Sequence, residues 1–393
     1  MKEPSAYRCM LARQEIGRSV VALRDVKDQI EGALPFGVKN TRSIPDTMIT
    51  RLEDSLLYVW LTLDKMSDKG RSIDTDIHNP ITYRLMTGST SGGPVNILKG
   101  IIELALGTDG GGSVLGPAAA TNLVGLIGAG VDACRVDAPS VSTDDLNFVP
   151  SIGAVGKSVG QTAAFLSMAC GIDLKAEEDL PARIKIALPR RGDILLPDGA
   201  DMRSKLDPFI DRLRKKFQGF PFLNFELQDY DVSGAGERIA AIQILTQAFD
   251  AGFDLLVSVE GPVDLYGYDE TILRSFGGGA GTLLTGNGGK YFIKAANMAG
   301  SSAVAVPTNE AATTILVCGK PGLEGARAAV AMAGALESVI KPAPLFKRYF
   351  LDQKKKNDFR AGARKEELND KDCDWRTGRT GHYRKTGKRT GRR

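Results

Sequence analysis

The stretch from Thr87 to Ala120 constrains this chain more than any other part of its sequence. Two runs of glycine and hydroxyl residues, 88–93 and 107–113, enclose an apolar segment, Val95 to Leu106, that predicts a buried element. Glycine loses more backbone freedom on folding than any other residue. Glycines at this density therefore indicate that the backbone geometry of the two runs is required.

The second run predicts a nucleophile and the groups that assist it. Gly110, Gly111 and Gly112 directly precede Ser113, and such a loop can direct several backbone N–H groups into one small volume. N–H groups arranged in this way stabilise the oxyanion that develops when a neighbouring hydroxyl attacks a carbonyl carbon. We therefore take Ser113 as the candidate nucleophile and the three glycines as a candidate oxyanion hole.

A serine hydroxyl is a poor nucleophile until a base takes its proton. The chain has two histidines, His78 and His382, and the second lies in a basic tail. This argues against a Ser-His-Asp arrangement, although His78 alone could supply the base. The other candidate is a lysine that burial shifts toward its neutral form. Lys39, in the apolar-flanked segment 34–40, is the lysine that we choose.

Together these residues resemble the amidase signature family. Members of that family have a lysine after a short apolar strand, an Asn-Pro pair before a GGSSGG-like run, and a nucleophilic serine that closes GTD-x-GGS. Here Lys39 stands in FGVKN, Asn79-Pro80 leads to Gly92-Gly93, and Ser113 closes GTDGGGS. A further similarity at 292–307 extends the resemblance to most of the chain between its first strand and its last helix.

The resemblance implies that a small-molecule amide is hydrolysed through a Ser–cisSer–Lys mechanism without metal or cofactor. A neutral Lys39 would draw a proton from Ser113 through a second hydroxyl, and Ser113 would form an acyl-enzyme that water hydrolyses. Counting from the Asn-Pro pair or the Gly-Gly pair places Thr90 at the relay position with its cis peptide bond. Counting back from the nucleophile favours Ser89 instead. We prefer Thr90, and we keep Ser89 and Ser91 as relay or substrate-contact candidates.

Three departures from the family pattern leave alternatives open. Leu115 stands where the family has an arginine, Thr90 stands where it has a serine, and the span from Lys39 to Thr90 is short. One alternative is an amidotransferase subunit similar to the A subunit of the glutamyl-tRNA amidotransferase, releasing ammonia for a partner protein. The other is a catalytically silent amidase-like scaffold that binds a protein partner.

The composition and the apolar segments of the sequence indicate the cellular compartment. Five cysteines are scattered without a CxxC pair, which favours a reducing compartment and argues against structural zinc. The N-terminus carries charges throughout and has no apolar region of the kind that signal peptides have. No uncharged apolar run reaches about 18 residues, the length that a membrane-spanning helix requires. We expect a cytoplasmic protein without membrane contact.

Helical spacing of apolar residues predicts an amphipathic helix over 13–30 and a second helix from Leu52 to Lys65. Farther on, predicted strands at 184–188, 222–227 and 253–259 alternate with predicted helices at 202–217 and 236–249, and a last helix follows at 323–340. This alternation is typical of an α/β fold. The resemblance implies one large domain over 1–345 with a mixed central β-sheet, helices on both sides, and a catalytic core at 34–130.

The remaining residues, 346–393, predict a charged tail without a core of its own. Residues 376–393 combine many lysines and arginines with glycine and threonine and contain no acidic residue, a composition typical of disorder in isolation. One hypothesis is that this segment binds nucleic acid or another polyanion through release of counterions. The other is that it keeps the protein in solution or docks it to a partner.

Overall fold

The computed structural model describes residues 5–25, 32–142, 145–175, 180, 183–217 and 225–352. The strands of the described chain are β1 (Val20–Leu23), β2 (Leu34–Lys39), β3 (Tyr58–Asp64), β4 (Ile73–His78), β5 (Leu85–Thr87), β6 (Leu104–Asp109), β7 (Val124–Ile127), β8 (Ser140–Val141), β9 (Asn147–Phe148), β10 (Ser151–Gly156), β11 (Ile184–Pro189), β12 (Phe225–Tyr230), β13 (Leu255–Glu260), β14 (Ala303–Pro307) and β15 (Thr314–Gly319). The helices are α1 (Ser5–Gln14), α2 (Asp46–Asp54), α3 (Gly92–Leu98), α4 (Leu115–Ala120), α5 (Val159–Cys170), α6 (Met202–Lys216), α7 (Arg238–Asp250), α8 (Thr271–Ser275), α9 (Gly279–Gly286), α10 (Leu323–Glu337) and α11 (Pro344–Phe346).

Most of these strands form one large sheet in the order β1-β3-β2-β6-β10-β7-β14-β15-β13-β11-β12. The sheet is mixed: β2 runs parallel to β3 and β6, whereas β10 runs antiparallel to β6 and β7. Helix α5 packs on β10, α6 packs on β13, and α10 packs on β14 and β15. The predicted α/β fold with a mixed central sheet flanked by helices is therefore confirmed.

The central strands are buried on both faces. Every residue of β6, β10, β13 and β15 is buried, which is the pattern expected where helices cover a sheet from two sides. Strands β2 and β6, which end at Lys39 and Asp109, lie next to each other in this buried part of the sheet. Side chains at their ends are therefore held by a rigid frame.

The predicted helix at 13–30 is wrong. Helix α1 ends at Gln14, Gly17 adopts a positive φ of 82°, and the chain then enters β1, which pairs antiparallel with β3. The helical spacing of apolar residues across 16–23 was coincidental, because β-branched Val20 and Val21 find an edge position in the sheet. Residues 26–31 of this prediction lie outside the described residues.

The predicted helix from Leu52 to Lys65 is also wrong for most of its length. Helix α2 ends at Asp54, and residues 58–64 form β3 between β1 and β2. This strand contains tyrosine, valine, tryptophan and threonine, which favour extended backbone when both faces are covered. The segment from Val95 to Leu106 is largely buried as predicted, but it comprises the end of α3 and the start of β6.

The later alternation of strands and helices is confirmed. The predicted strands correspond to β11, β12 and β13, and the predicted helices correspond to α6, α7 and α10. Residues 222–224 of the second predicted strand lie outside the described residues. Periodicity succeeded here because each element has one clear period and is bounded by polar or glycine residues.

Ordered chain continues past the boundary predicted at residue 345. Helix α11 leads into a π-helical turn at Lys347–Leu351, and the rings of Phe346 and Phe350 lie 5.5 Å apart while packing against the core. The predictions for the tail concern mainly residues 353–393, which lie outside the described residues. In the part of the chain that is described, no helix combines the length and the apolar character needed to cross a bilayer.

Candidate active site

Lys39 ends strand β2 with its side chain enclosed by protein. Only 4% of the residue is exposed. Its Nζ lies 2.7 Å from Ser89 Oγ, 3.1 Å from Thr108 Oγ1 and 3.2 Å from the carbonyl oxygen of Thr108. Strand pairing explains this cluster, because Thr108 belongs to β6, the parallel neighbour of β2. All three contacts are made by uncharged oxygens.

These surroundings shift the titration of the amine. Burial lowers the pKa of Lys39 to about 8, although the nearby charge of Asp109 opposes that shift. A buried ammonium without a directly paired carboxylate loses hydration that its partners replace only in part. An unprotonated Lys39 is therefore accessible near neutral pH, as a general base requires.

The residue that faces Lys39 is Ser89, and the preference for Thr90 was wrong. The cis peptide bond joins Gly88 to Ser89, and the Ser89 hydroxyl is the one within hydrogen-bond distance of Lys39. A Cβ at Gly88 would lie 2.4 Å from the carbonyl oxygen of Arg71, so only glycine fits before this serine. Counting back from the nucleophile favoured this residue, and the contact with Lys39 supports that alternative.

The two hydroxyls that follow point elsewhere. Thr90 is buried, its Oγ1 has no hydrogen-bond partner among the described residues, and its side chain packs against Gly107. Ser91 is also buried and donates to Asp74 Oδ2 at 2.6 Å. Neither residue lines the cleft that contains Lys39. The geometry therefore gives no support to Thr90 as relay or to Ser91 as a substrate contact.

A single carboxylate organises the loop that carries Ser113. Asp109, at the end of β6, accepts the backbone N–H groups of Gly112 at 2.8 Å, Val114 at 2.6 Å and Leu115 at 3.1 Å. Burial raises the pKa of Asp109, while these three hydrogen bonds and Lys39 oppose the shift. The aspartate of the GTD motif thus folds the loop back over the strand end.

This arrangement changes the predicted oxyanion hole. The N–H of Gly112 already donates to Asp109, so it is not free to meet a substrate oxygen. Gly112 instead allows the turn, because its φ is 98°. Gly110 and Gly111 line the cleft beside Ser113, and they remain the candidate donors.

These groups meet in one cleft of about 430 Å³. Lys39, Ser89 and Ser113 all line it. The backbone of the two runs is joined directly, because the N–H of Thr90 donates to the carbonyl oxygen of Ser113 at 3.0 Å. No hydrogen bond links the hydroxyls of Ser89 and Ser113 in this structure; such contacts commonly shorten when a substrate binds. His78 is exposed and does not line the cleft.

Sequence reasoning missed a second buried lysine in the cleft wall. Lys290 is 7% exposed, and its Nζ lies 2.9 Å from Asp264 Oδ1 and 3.0 Å from Oδ2. Thr87, two residues before Ser89, donates to the same carboxylate at 2.8 Å. Burial raises the pKa of Asp264, and the charge of Lys290 opposes that shift. No motif marked this pair, since its members lie far apart in sequence.

The described residues contain no group of three or more His, Cys, Asp or Glu placed to hold a metal ion. Glu260, a carboxylate at the end of β13, is fully buried and accepts the N–H groups of Tyr291 and Phe292. Burial raises the pKa of Glu260 to about 7. It ties the segment that follows residue 290 to the sheet and does not line the cleft.

Comparison with known proteins supports the architecture. No family model matches this sequence. No curated protein matches it either. Among solved structures, the fold is similar to that of an amidase, with 15% identity, a TM-score of 0.57, and coverage of 86% of this chain and 95% of that one.

Two further structures are similar over comparable lengths. For 6-aminohexanoate cyclic dimer hydrolase in complex with substrate, identity is 13%, the TM-score is 0.59, and the match covers 88% of this chain and 95% of that one. For allophanate hydrolase from Kluyveromyces lactis, identity is 15%, the TM-score is 0.59, and coverage is 87% and 71%. At such identities the similarity establishes the fold.

Proposed function

We propose that this protein hydrolyses a carbon–nitrogen amide bond through an acyl-enzyme on Ser113, with Ser89 as proton relay and Lys39 as base. The observation that carries the proposal is the 2.7 Å contact between the buried Lys39 amine and the Ser89 hydroxyl in the cleft that Ser113 lines. Two motifs far apart in sequence meet there. The similarity in fold to an amidase and to two hydrolases agrees with this function.

The hydrogen bonds around Lys39 suit a neutral amine. Such an amine has two N–H groups and one lone pair. The N–H groups can stay on the two oxygens of Thr108, and the lone pair can then accept the proton of Ser89. Thr108 therefore orients the base and leaves its lone pair directed at the relay.

The reaction proceeds in two halves. Ser113 Oγ passes its proton to Ser89 as Ser89 passes its own to Lys39, and the freed oxygen attacks the amide carbonyl carbon. The oxyanion so formed is stabilised by N–H groups of the loop at Gly110 and Gly111. When the C–N bond breaks, the leaving amine receives the proton from Lys39 through Ser89. Water then attacks the carbonyl carbon of the acyl ester and loses a proton through Ser89 to Lys39. The ester bond breaks, Ser113 regains the proton by the same path, and the acid is released.

A serine-directed fluorophosphonate probe tests this assignment without knowledge of the substrate. The probe should label the wild-type protein on Ser113, as located by peptide mass spectrometry, and should not label Ser113→Ala. Ser142→Ala, which removes another hydroxyl from the cleft lining, is the matched control and should label normally. Well-folded protein that resists the probe would favour the catalytically silent scaffold.

The amidotransferase alternative predicts an additional property. Glutamine would be the amide, and glutaminase activity would rise when a co-purifying partner protein is added. Activity on small amides that is unchanged by any co-purifying protein would support the simple hydrolase. The same Ser113 chemistry serves both functions, so the labelling experiment does not separate them.

We also propose that residues 376–393 bind a polyanion such as nucleic acid. Their composition supports this, because many positive charges occur without an acidic residue. Truncation after Leu351 should leave the fold intact and weaken retention on heparin in a salt-dependent way. Equal retention of both forms would remove this proposal.

A cytoplasmic location is proposed on the state of the thiols. Among the described residues, the buried thiols of Cys9, Cys134, Cys170 and Cys318 form no disulfide, a state that a reducing compartment preserves. Fractionation of cells that express the tagged full-length chain tests the location. Recovery from an oxidising compartment would contradict it.

A further inference from the structure

A short turn at residues 67–72 contacts the main chain of the run that carries Ser89. The N–H of Gly88 donates to the carbonyl oxygen of Ser72 at 2.8 Å, and the N–H of Ser67 donates to the carbonyl oxygen of Ser89 at 3.2 Å. Ser67 and Ser89 are both buried, and hydrogen bonds in such surroundings are stronger than in water. The position of Ser89 therefore depends on the position of this turn.

The turn is fastened to a second segment that lies far later in the chain. Ser72 Oγ donates to the carbonyl oxygen of Asp269 at 3.1 Å. The guanidinium of Arg71 donates to Glu270 Oε1 through Nε and Nη2, each at 3.0 Å. All four residues line the cleft that contains Ser113. Their contacts, which we call the cleft bridge, thus connect the turn that holds the relay serine to another part of the cleft wall.

Glu270 is the residue on which the cleft bridge depends most. It is only 3% exposed, and its Oε2 accepts the N–H of Leu273 at 3.1 Å as the N-cap of α8. Two N–H groups of one planar guanidinium converge on its other oxygen, an arrangement that determines orientation as well as distance. The Arg71 side chain is 30% exposed, so water can solvate it when the carboxylate is removed. The turn would then lose its fixed attachment.

A second ion pair beside the cleft provides a matched contrast. Glu237, the N-cap of α7, pairs with Arg274 at 2.7 Å. Glu237 and Glu270 are thus both N-cap residues, and each pairs with an arginine that lines the cleft. The Glu237 pair joins α7 to α8, whereas the Glu270 pair joins α8 to the turn that holds Ser89. Only the second pair should therefore affect the relay.

We infer that Glu270 is a positioning residue for the proton relay: through Arg71 and the turn at 67–72, it holds the Ser89 hydroxyl between Lys39 and Ser113. A relaying hydroxyl must lie within hydrogen-bond distance of both its donor and its acceptor during the reaction. A displacement of about 1 Å at such a site can cost about a hundredfold in rate. The inference rests on the proposed role of Ser89 and extends the reacting geometry to a residue that contacts none of the reacting atoms.

Saturation kinetics of fluorophosphonate labelling on the full-length protein test the inference. Glu270→Gln keeps the shape of the side chain and removes its charge. It should lower the maximal labelling rate by about tenfold, because Ser89 is no longer held in line. The probe concentration at half-maximal rate should stay the same. Glu237→Gln, the matched control, should change neither value. Equal maximal rates in Glu270→Gln and the wild type would overturn the inference.

A double variant separates positioning of Ser89 from a general effect on the cleft. If Glu270 acts through Ser89, adding Glu270→Gln to Ser89→Ala should slow labelling by less than about twofold more. A further loss of about tenfold would show that the effect does not pass through Ser89 and would overturn the inference. If Glu270→Gln fails to fold, Arg71→Met combined with Glu270→Gln leaves no unpaired charge and takes its place in both measurements.

Hydrogen exchange reports on the backbone independently of the proposed chemistry. Peptides that cover residues 87–90 should exchange at least about threefold faster in Glu270→Gln than in the wild type, and Glu237→Gln should leave their exchange unchanged. Unchanged exchange in Glu270→Gln would overturn the inference even if labelling slowed. Faster exchange in a protein whose wild type resists the probe would keep Glu270 as the residue that positions Ser89 and would refute the hydrolase.

Discussion

Lys39 and Lys290 are two buried lysines in the wall of one cleft, and they have opposite surroundings. Their exposed fractions are similar, 4% and 7%. Lys39 meets the uncharged oxygens of Ser89 and Thr108, whereas Lys290 meets both carboxylate oxygens of Asp264 at about 3 Å. Burial alone therefore does not determine what a lysine does.

The difference shows how partners decide the role of a buried amine. Oxygens without charge leave the desolvation of Lys39 largely uncompensated, so its pKa falls to about 8 and a neutral base becomes available. A carboxylate in direct contact compensates a buried ammonium and stabilises the charge. Lys290 is thus suited to holding structure: its partner Asp264 also anchors Thr87, at the start of the run that carries Ser89.

Replacement of each lysine by methionine is the strongest test of this comparison. Lys39→Met should lower hydrolysis and probe labelling by about a thousandfold or more, because the base is lost. Its stability should not fall, since a poorly compensated buried amine is removed. Lys290→Met should instead lower the free energy of unfolding by about 3–5 kcal/mol, because Asp264 stays buried without its cation.

Urea denaturation and probe labelling measure the two outcomes on the same samples. Lys290→Met combined with Asp264→Leu should recover part of the lost stability, since no unpaired charge then remains. The comparison would fail if Lys39→Met proved the less stable variant and Lys290→Met the less reactive one in folded protein.

The next largest effect separates two neighbouring hydroxyls, those of Ser89 and Thr90. Ser89→Ala should lower the rate of labelling by about a hundredfold or more, because the proton path between Ser113 and Lys39 is cut. Thr90→Val keeps the shape that packs against Gly107 and removes a hydroxyl without a partner, so we expect a change of less than about threefold. Stopped-flow or quenched labelling gives both rates. A slower Thr90→Val than Ser89→Ala would restore the prediction made from sequence.

The pH dependence of activity follows from the lowered pKa of Lys39. The base must be unprotonated, so kcat/KM should rise about tenfold per pH unit below the pKa. It should level off above about pH 8. A rate profile between pH 5.5 and 9.5 with a neutral amide substrate measures this. A plateau that begins near pH 6 would indicate a different base.

The same lowered pKa predicts a smaller effect on stability. The folded pKa of about 8 lies below the ordinary lysine pKa of 10.5, so the unfolded chain binds more protons between these two pH values. The free energy of unfolding should therefore gain about 1.4 kcal/mol for each pH unit in that window. The loss of stability caused by burying a protonated Lys39 is fully present below about pH 8. Lys39→Met lacks this term, so the stability difference between it and the wild type should shrink from pH 8 to pH 10.

The smallest expected effect concerns Thr87, which donates to Asp264, the carboxylate that pairs with Lys290. Thr87→Val removes the hydrogen bond to Asp264 and keeps the volume, so it should cost about 1 kcal/mol of stability. The Lys290 ion pair with Asp264 remains in place, so labelling of Ser113 should change little. Urea denaturation measures the loss. A large drop in labelling rate with unchanged stability would show that Asp264 positions the Ser89 run for catalysis.

The class of the fold could be predicted from the sequence, and so could most of the residues that the proposed function uses. Glycine runs, a closing serine and a lysine after an apolar strand are local patterns, and the structure brings these segments together in one cleft. The strands and helices after residue 184 were predictable for the same reason, because the periodicity of each segment reflects its own burial. The helices predicted at 13–30 and 52–65 failed, since sheet pairing with a distant strand overrode a weak local pattern.

Several features depended on the tertiary structure. The proposal of Ser89 over Thr90 as relay rests on which hydroxyl lies near Lys39 at the strand ends, a distance that no residue count determines. The N–H of Gly112 proved to serve Asp109, and Lys290 proved to meet a carboxylate far away in sequence. The sequence determines which chemical groups the chain has and, where one period is clear, which segments form helices or strands. The partners of a buried charge are set only by packing, because they come from segments that have no common sequence pattern.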